Sequence, residues 1–232
     1  MEIDWLEPEA TARGSVIVIG GRGERADVYR RFARRIVFDG YRVAVVENDS
    51  AVIAGIVADA QSDLPLTVIG SDSGAVAALT VAIANPAVTG VVAAGLLVAD
   101  TEALVQDWDG ELDIRSACPV HRGVLSTVDA LEPGSLGQKV PLATAETVAL
   151  VDVPVLVVHG QADALSSALD VLALRSSLRD ARVVLVRDGR HDILNDVSHR
   201  SVAAEIVQFL ERLRLPDTPD IILRDSAEAL AQ

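Results

Sequence analysis

Along most of its length the chain alternates between short β-branched aliphatic runs and segments of helical pattern. The runs "SVIVIG" (15–20), "YRVAVVE" (41–47), "PLTVIG" (65–70), "VTGVVAAGLLVA" (88–99), "VPVLVVHG" (153–160) and "ARVVLVRDG" (181–189) read as strands. Near-continuous apolar runs of this kind suit strands buried on both faces, which is the condition of a parallel sheet covered by helices. Residues 24–40, 50–61, 74–85, 166–179 and 197–214 read as the helices between them. Asp49 or Ser50 can cap the second, while Gly40 and Pro86 stop the first and third. Strands alternating with helices predict an α/β fold: a mostly parallel sheet with helices on both faces.

Composition narrows this further. Half of the residues are hydrophobic but only 3% are aromatic, so the core must be built from Val, Ala, Leu and Ile. The 232 residues are enough for one domain spanning 1–232. A net charge of −14 argues against nucleic acid as a partner, because phosphate binding needs a basic face. The single cysteine, Cys118, leaves no internal disulfide and fits a reducing cytoplasm. The start "MEIDWLEPEA" lacks the basic and apolar regions of a signal peptide, and the longest apolar stretch is broken by Asn85, Pro86 and Gly90. A cytoplasmic protein with no membrane span and a small-molecule substrate is expected, and a homo-oligomer is compatible with the sequence. Two segments break the alternation: an irregular insertion over 100–152 and a tail over 215–232 that follows two prolines.

In open parallel sheets reactive groups collect at the C-terminal ends of the strands. Here those ends carry "GGRGER", "GSDSGA", "QAD" and "GRHD", that is, a glycine loop, a nucleophile candidate, a carboxylate and a histidine. The order nucleophile, acid, histidine is that of a hydrolytic triad on a doubly wound sheet. "GSDSGA" allows two registers of a strained strand-to-helix turn. Gly70 and Gly74 as flanks put Asp72 at the tip, whereas Ser71 and Ala75 as flanks put Ser73 there. Glycine suits the crowded flanks best, which favours Asp72, with Ser73 retained as the second candidate.

The stretches "GGRGERADVYRRFARRIVFDGYRVAVVE", "VPVLVVHGQAD" and "RHDILNDVSHRSVAAEIVQFLERL", taken with "GSDSGA", resemble the α/β-hydrolase superfamily. They are most similar to its lysophospholipase and monoacylglycerol lipase branch. The resemblance implies a reduced α/β-hydrolase fold with a short lid at 100–152, and covalent hydrolysis of a small or lipid-like ester without a cofactor. It implies that Asp163 orients His191, that His191 is the base, and that the loop Gly21, Arg22, Gly23 binds substrate, the Arg22 N–H serving as an oxyanion donor. The chain departs from that branch at Gly20, where the family carries His, in the short stretch between the second and third strands, and at Asp72. "GSDSGA" resembles instead the elbow of haloalkane dehalogenases and epoxide hydrolases, whose aspartate attacks sp3 carbon. Their helpers are missing. Tyr29 and Tyr41 are the only tyrosines, so the insertion holds no ring-opening pair, and Ser73 rather than Trp follows Asp72, leaving Trp108 as the nearest substitute.

Two other functions compete. "GRGERA" (21–26), with Glu47 at the end of the next strand, fits an NAD(P)- or FAD-binding Rossmann loop, although Arg22 and Glu24 crowd it. A catalytically silent hydrolase fold used for binding is the third reading. Arg22, Arg25, Arg30, Arg31, Arg34 and Arg35 read as a solvated helix face paired with acids, or alternatively as a site for an anionic head group. His121 and Arg122 read as a turn, and Cys118 as a small buried residue. No His/Cys/Asp spacing suggests a metal.

Overall fold

The computed structural model describes residues 4–60, 63–98 and 107–215; the tail expected from 215 onward lies outside them beyond Leu215, as does the start of the insertion. The strands are β1 (Trp5–Leu6), β2 (Ser15–Ile19), β3 (Arg42–Val46), β4 (Leu66–Ser71), β5 (Val88–Ala94), β6 (Val155–Gly160) and β7 (Ala181–Val186). They form one seven-stranded sheet in the order β1-β3-β2-β4-β5-β6-β7. Every pairing is parallel except the edge pair of β1 with β3. Because β2 lies between β3 and β4, the order differs from the 3-2-1-4-5-6 arrangement of a dinucleotide-binding domain.

Period-2 alternation sends each strand's residues into two separate cores. Val16, Val18, Ile69, Val92, Leu156 and Val158 face α1 (Arg30–Phe38) and α8 (His199–Arg214), packing on Phe32, Ile36, Ile206 and Phe209. Ile17, Ile19, Val68, Val91, Val155 and Val157 face the other way. They pack on Ile53 and Ile56 of α2 (Ser50–Asp59) and Ala75 and Leu79 of α3 (Ser73–Ala84). Val148 of α6 (Ala145–Val148) and Val171 of α7 (Ala168–Leu174) close that side.

Several boundaries differ from the sequence expectation. The first helix begins with a 3-10 turn at Ala26–Tyr29 and is α-helical only from Arg30, and the strand contained in 88–99 is Val88–Ala94. Among its described residues the insertion contains helices: α4 (Trp108–Arg115) and α5 (Pro119–Leu125) put Leu112 and Leu125 into the α1/α8 core. Gly110, Pro119, Gly123 and Pro133 interrupt its periodicity, which is why it reads as irregular.

Ile17 is fully buried mid-sheet. Ile17→Ala is expected to lower unfolding stability by about 2–5 kcal/mol, measured by urea denaturation with an unchanged m-value.

Candidate active site

Strand β4 ends at Ser71 and α3 begins at Ser73, so the whole turn is made by one residue, Asp72, with φ 54° and ψ −123°. A non-glycine residue in that conformation is strained, and the packing around it enforces the strain. A Cβ on Gly70 would lie 1.9 Å from the carbonyl oxygen of Gly74, and one on Gly74 would lie 2.4 Å from that of Ile19. Strand, turn and helix therefore approach closely only with glycine on both sides of Asp72. The Ser73 hydroxyl belongs to the first residue of the helix and accepts a hydrogen bond from Asn48 Nδ2 at 3.1 Å.

The carboxylate of Asp72 is completely buried and meets His191 Nε2 at 3.0 Å through Oδ1. On the other side of the ring, His191 Nδ1 lies 2.8 Å from Asp163 Oδ2. Asp163 also accepts from the backbone N–H groups of Leu165 and Ser166 through Oδ1, so it both orients the imidazole and caps the turn that carries it. His159 Nε2 donates to the Ser166 carbonyl at 2.8 Å and sits 3.4 Å from Asp163.

Two carboxylates facing one ring require a proton on each nitrogen. Burial alone would lower the His191 pKa, but the charges and hydrogen bonds of Asp163 and Asp72 win and push it up to about 10. Burial would likewise raise Asp72, yet hydrogen bonds and charge from His191 and Arg22 hold it far below the usual carboxylate range. Resting His191 is thus an imidazolium between two carboxylates.

Arg22, in the loop after β2, supplies the remaining donors. Its Nη2 reaches Asp72 Oδ1 at 2.8 Å, its Nε reaches Oδ2 at 2.9 Å, and its backbone N–H reaches Oδ2 at 2.8 Å. The N–H expected to serve as an oxyanion donor is therefore bound to the carboxylate itself. Nη1 holds the Leu136 and Gln138 carbonyls of the insertion at 2.8 and 3.0 Å.

Behind this loop lies a buried polar network that the sequence did not disclose. Arg115 of α4 is fully buried and donates to Glu24, Glu111, the Arg22 carbonyl and Ser135 Oγ. Gly21 N donates to Glu24 Oε2 at 3.2 Å and to Tyr29 Oη at 3.0 Å, and Tyr29 Oη donates to Glu24. The peptides on both sides of the Arg22 N–H are thereby pinned. His121 of α5 joins the network through Asp192 at 3.0 Å. Burial, reinforced by the Asp192 charge, raises Glu24 to about 7, and burial lowers His121 to about 4.

Glu24, His121 and Asp192 lie close enough to share a metal ion. Arg115 Nη1, however, stands 3.2 Å from Glu24 and 3.8 Å from Asp192, so a guanidinium already occupies the cation position between the carboxylates. Glu47 pairs with Arg25, and the N–H groups of Gly21 and Arg22 already face carboxylates rather than a pyrophosphate. The other loop arginines divide as follows: Arg30 and Arg35 pair with Asp27 and Asp39, and Arg31 holds the Asn195 carbonyl. His121 and Arg122 lie on a helix rather than a turn.

A cleft of about 850 Å³ opens in front of the loop, lined by Arg22, Asn48, Ser73, Trp108, Leu131 and Gln138, among others. Arg22 stands between this cleft and Asp72. A second, mostly apolar groove of about 460 Å³ runs between α2 and α3 and meets the cleft at Asn48 and Ser73.

A family model described as TAP-like protein, within the α/β-hydrolases, matches residues 133–221. No match was found among curated proteins. Among solved structures, the monoacylglycerol lipase of Paleococcus ferrophilus superposes with a TM-score of 0.72 at 16% identity, covering 92% of this chain and 100% of that one. A soluble variant of monoglyceride lipase from Saccharomyces cerevisiae, in complex with a substrate analog, gives 0.73 at 15% identity and 90% of each chain. A lipase-esterase related protein from Clostridium acetobutylicum gives 0.71 at 14% identity, over 88% of this chain and 98% of that one. The chain has the α/β-hydrolase fold, with an architecture like that of the monoacylglycerol lipases, and residues 133–221 match a family model of that class.

Gly74→Ala is expected to cost several kcal/mol, roughly the upper end of overpacking effects, because backbone oxygens cannot yield to the new methyl. Calorimetric melting of the purified variant checks this. Between the ordinary carboxyl value of 4.5 and about 7, folded Glu24 holds a proton that the unfolded chain releases, so its contribution to stability falls as pH rises through that window. In Glu24→Gln that slope is expected to vanish: its melting temperature relative to the parent should rise between pH 5 and pH 8.

Proposed function

We propose that the protein is a cytoplasmic hydrolase of a small or lipid-like ester, or a related molecule, and that it works by covalent catalysis. Asp72 is the nucleophile, His191 the base, and Asp163 the group that orients it. One observation carries the reading: a carboxylate stands at the tip of a strained strand-to-helix turn, hydrogen-bonded to the imidazole at 3.0 Å. The likeness in fold to lipases and esterases supports the hydrolytic class. The absence, among the described residues, of a helix long and apolar enough to cross a membrane is consistent with it.

The charges favour attack on sp3 carbon. Asp72 is ionised throughout the ordinary pH range and ready as a nucleophile, whereas its attack on an acyl carbon would give only a reactive mixed anhydride. In the first step the bond from an Asp72 oxygen to the substrate carbon forms as the bond to the leaving group breaks. The electron pair departs with that group. Asp72 is then neutral, and His191 loses one of the two carboxylates that raise its pKa. It releases its proton to solvent and becomes a base. Water attacks Cγ of the ester as His191 takes its proton, and the negative charge developing on Oδ2 meets the Arg22 N–H that already lies 2.8 Å away. Collapse expels the alcohol, which takes the proton from His191; the Asp72 carboxylic acid so formed then passes its own proton to His191, which restores the carboxylate and the imidazolium.

A second reading rests on the same contacts. Asp72 is shut in by His191 and Arg22, as suits a silent fold used for binding. Single turnover in ¹⁸O water with peptide mass spectrometry separates the two. Label in the Asp72 carboxylate is expected from the covalent route, and Asp72→Asn and His191→Ala are each expected to lower kcat by about three orders of magnitude or more. Full turnover with label absent from Asp72 contradicts the nucleophile assignment. No turnover on any alkyl ester, with unaltered ligand binding in Asp72→Ala, favours the binding protein.

A further inference from the structure

We infer that Arg22 is the leaving-group residue of this site, and that the substrate is an alkyl ester of an oxyacid cleaved on the alkyl side. The inference rests on the covalent reading above and extends it to the substrate's departing half.

Arg22 is buried and its guanidinium makes a two-pronged pair with Asp72, Nη2 to Oδ1 at 2.8 Å and Nε to Oδ2 at 2.9 Å. That parallel fork is the geometry with which arginine binds any carboxylate-like anion. When Asp72 becomes an ester, its charge disappears and the guanidinium is left buried without a counter-ion, a costly state. Arginine cannot shed its proton to escape that state. The negative charge has not vanished, because the electron pair of the broken bond leaves on the departing group. If that group is an oxyanion at the fork, Arg22 exchanges one carboxylate-like partner for another and the net charge of the site stays constant.

Position agrees with charge. Arg22 lines the cleft while Asp72 is completely enclosed, so whatever approaches Asp72 from the cleft meets the guanidinium first. Nη1 remains anchored on the Leu136 and Gln138 carbonyls, so Nε and Nη2 can change partners without release of the whole side chain. The fork prefers a departing carboxylate or sulfate to a spherical halide. An epoxide would leave a strongly basic alkoxide that needs a proton, which a guanidinium does not provide.

Asp72→Asn tests this directly, since it removes the charge and leaves the fork free. Calorimetric titration with sodium acetate and sodium sulfate, at constant ionic strength, is expected to show saturable millimolar binding to Asp72→Asn and none to the parent. Binding should weaken at least tenfold in Asp72→Asn/Arg22→Gln. Arg22→Lys in the same background keeps the charge without the fork, so the preference for acetate over chloride should disappear while chloride still binds. Equal acetate binding by Asp72→Asn and the double variant would overturn the inference, as would no binding to Asp72→Asn when the parent labels Asp72 with ¹⁸O. Acetate held by Arg22 in Asp72→Asn without ¹⁸O in the parent's Asp72 would sink the nucleophile instead and leave Arg22 as an anion site. In the parent background, Arg22→Gln should slow esters with the more basic carboxylate leaving groups most, steepening the dependence of rate on leaving-group pKa. An unchanged slope also contradicts the inference.

Discussion

The site depends on one buried chain of charges: Arg22, Asp72, His191 and Asp163, joined by contacts of 2.8 to 3.0 Å. No link of it is stable alone. A buried carboxylate without Arg22 would take up a proton, and an imidazole without its two carboxylates would be neutral. Together they alternate two cations with two anions in a protein that is otherwise strongly acidic. Because the chain is closed, any event that neutralises one member is felt by the next. That property lets a single ring be an acid-loaded imidazolium at rest and a base after alkylation of Asp72 in the proposed reaction.

The rest of the fold keeps this chain in register. Parallel strands β2, β4 and β6, the last separated from β4 by β5, end along one edge of the sheet and deliver Arg22, Asp72 and Asp163 from three separate loops. Gly70 and Gly74 let α3 start directly under the turn. Arg115, from the insertion, grips the Arg22 carbonyl and Glu24, so the loop after β2 is fastened from behind by a segment inserted elsewhere in the chain. The desolvation of these buried charges offsets much of their attraction, so the network is weak evidence of net stability.

Much of this was legible in the residues. Aliphatic runs of strand length, punctuated by Gly and Pro, announced the sheet, and the glycines at 70 and 74 favoured Asp72 over Ser73 as the turn residue, which is where the structure puts the turn. Asp163 and His191 were visible because each follows a strand, where open sheets gather chemistry. Arg22 was named from the sequence as a substrate-binding loop residue with an oxyanion-donor N–H, but its guanidinium gave no sign of pairing with Asp72. Its attachment to Asp72 spans 50 positions, and a lone arginine in an arginine-rich loop reads as solvated. The pairing of Arg115 with Glu24 spans 91 positions and had no local signal at all. Strand β1 is only two residues long and pairs antiparallel at the edge, too little for any period to register.

The central claim is that the buried ring of His191 carries a positive charge at rest because it lies between Asp72 and Asp163. Nitrogen-15 NMR of the histidine ring measures this without substrate. The account requires protons on both Nδ1 and Nε2 at pH 8, with titration displaced upward to about 10 in the parent protein and lower in Asp72→Asn. A ring that is neutral at pH 8, with one protonated nitrogen and a titration indifferent to Asp72, would contradict it.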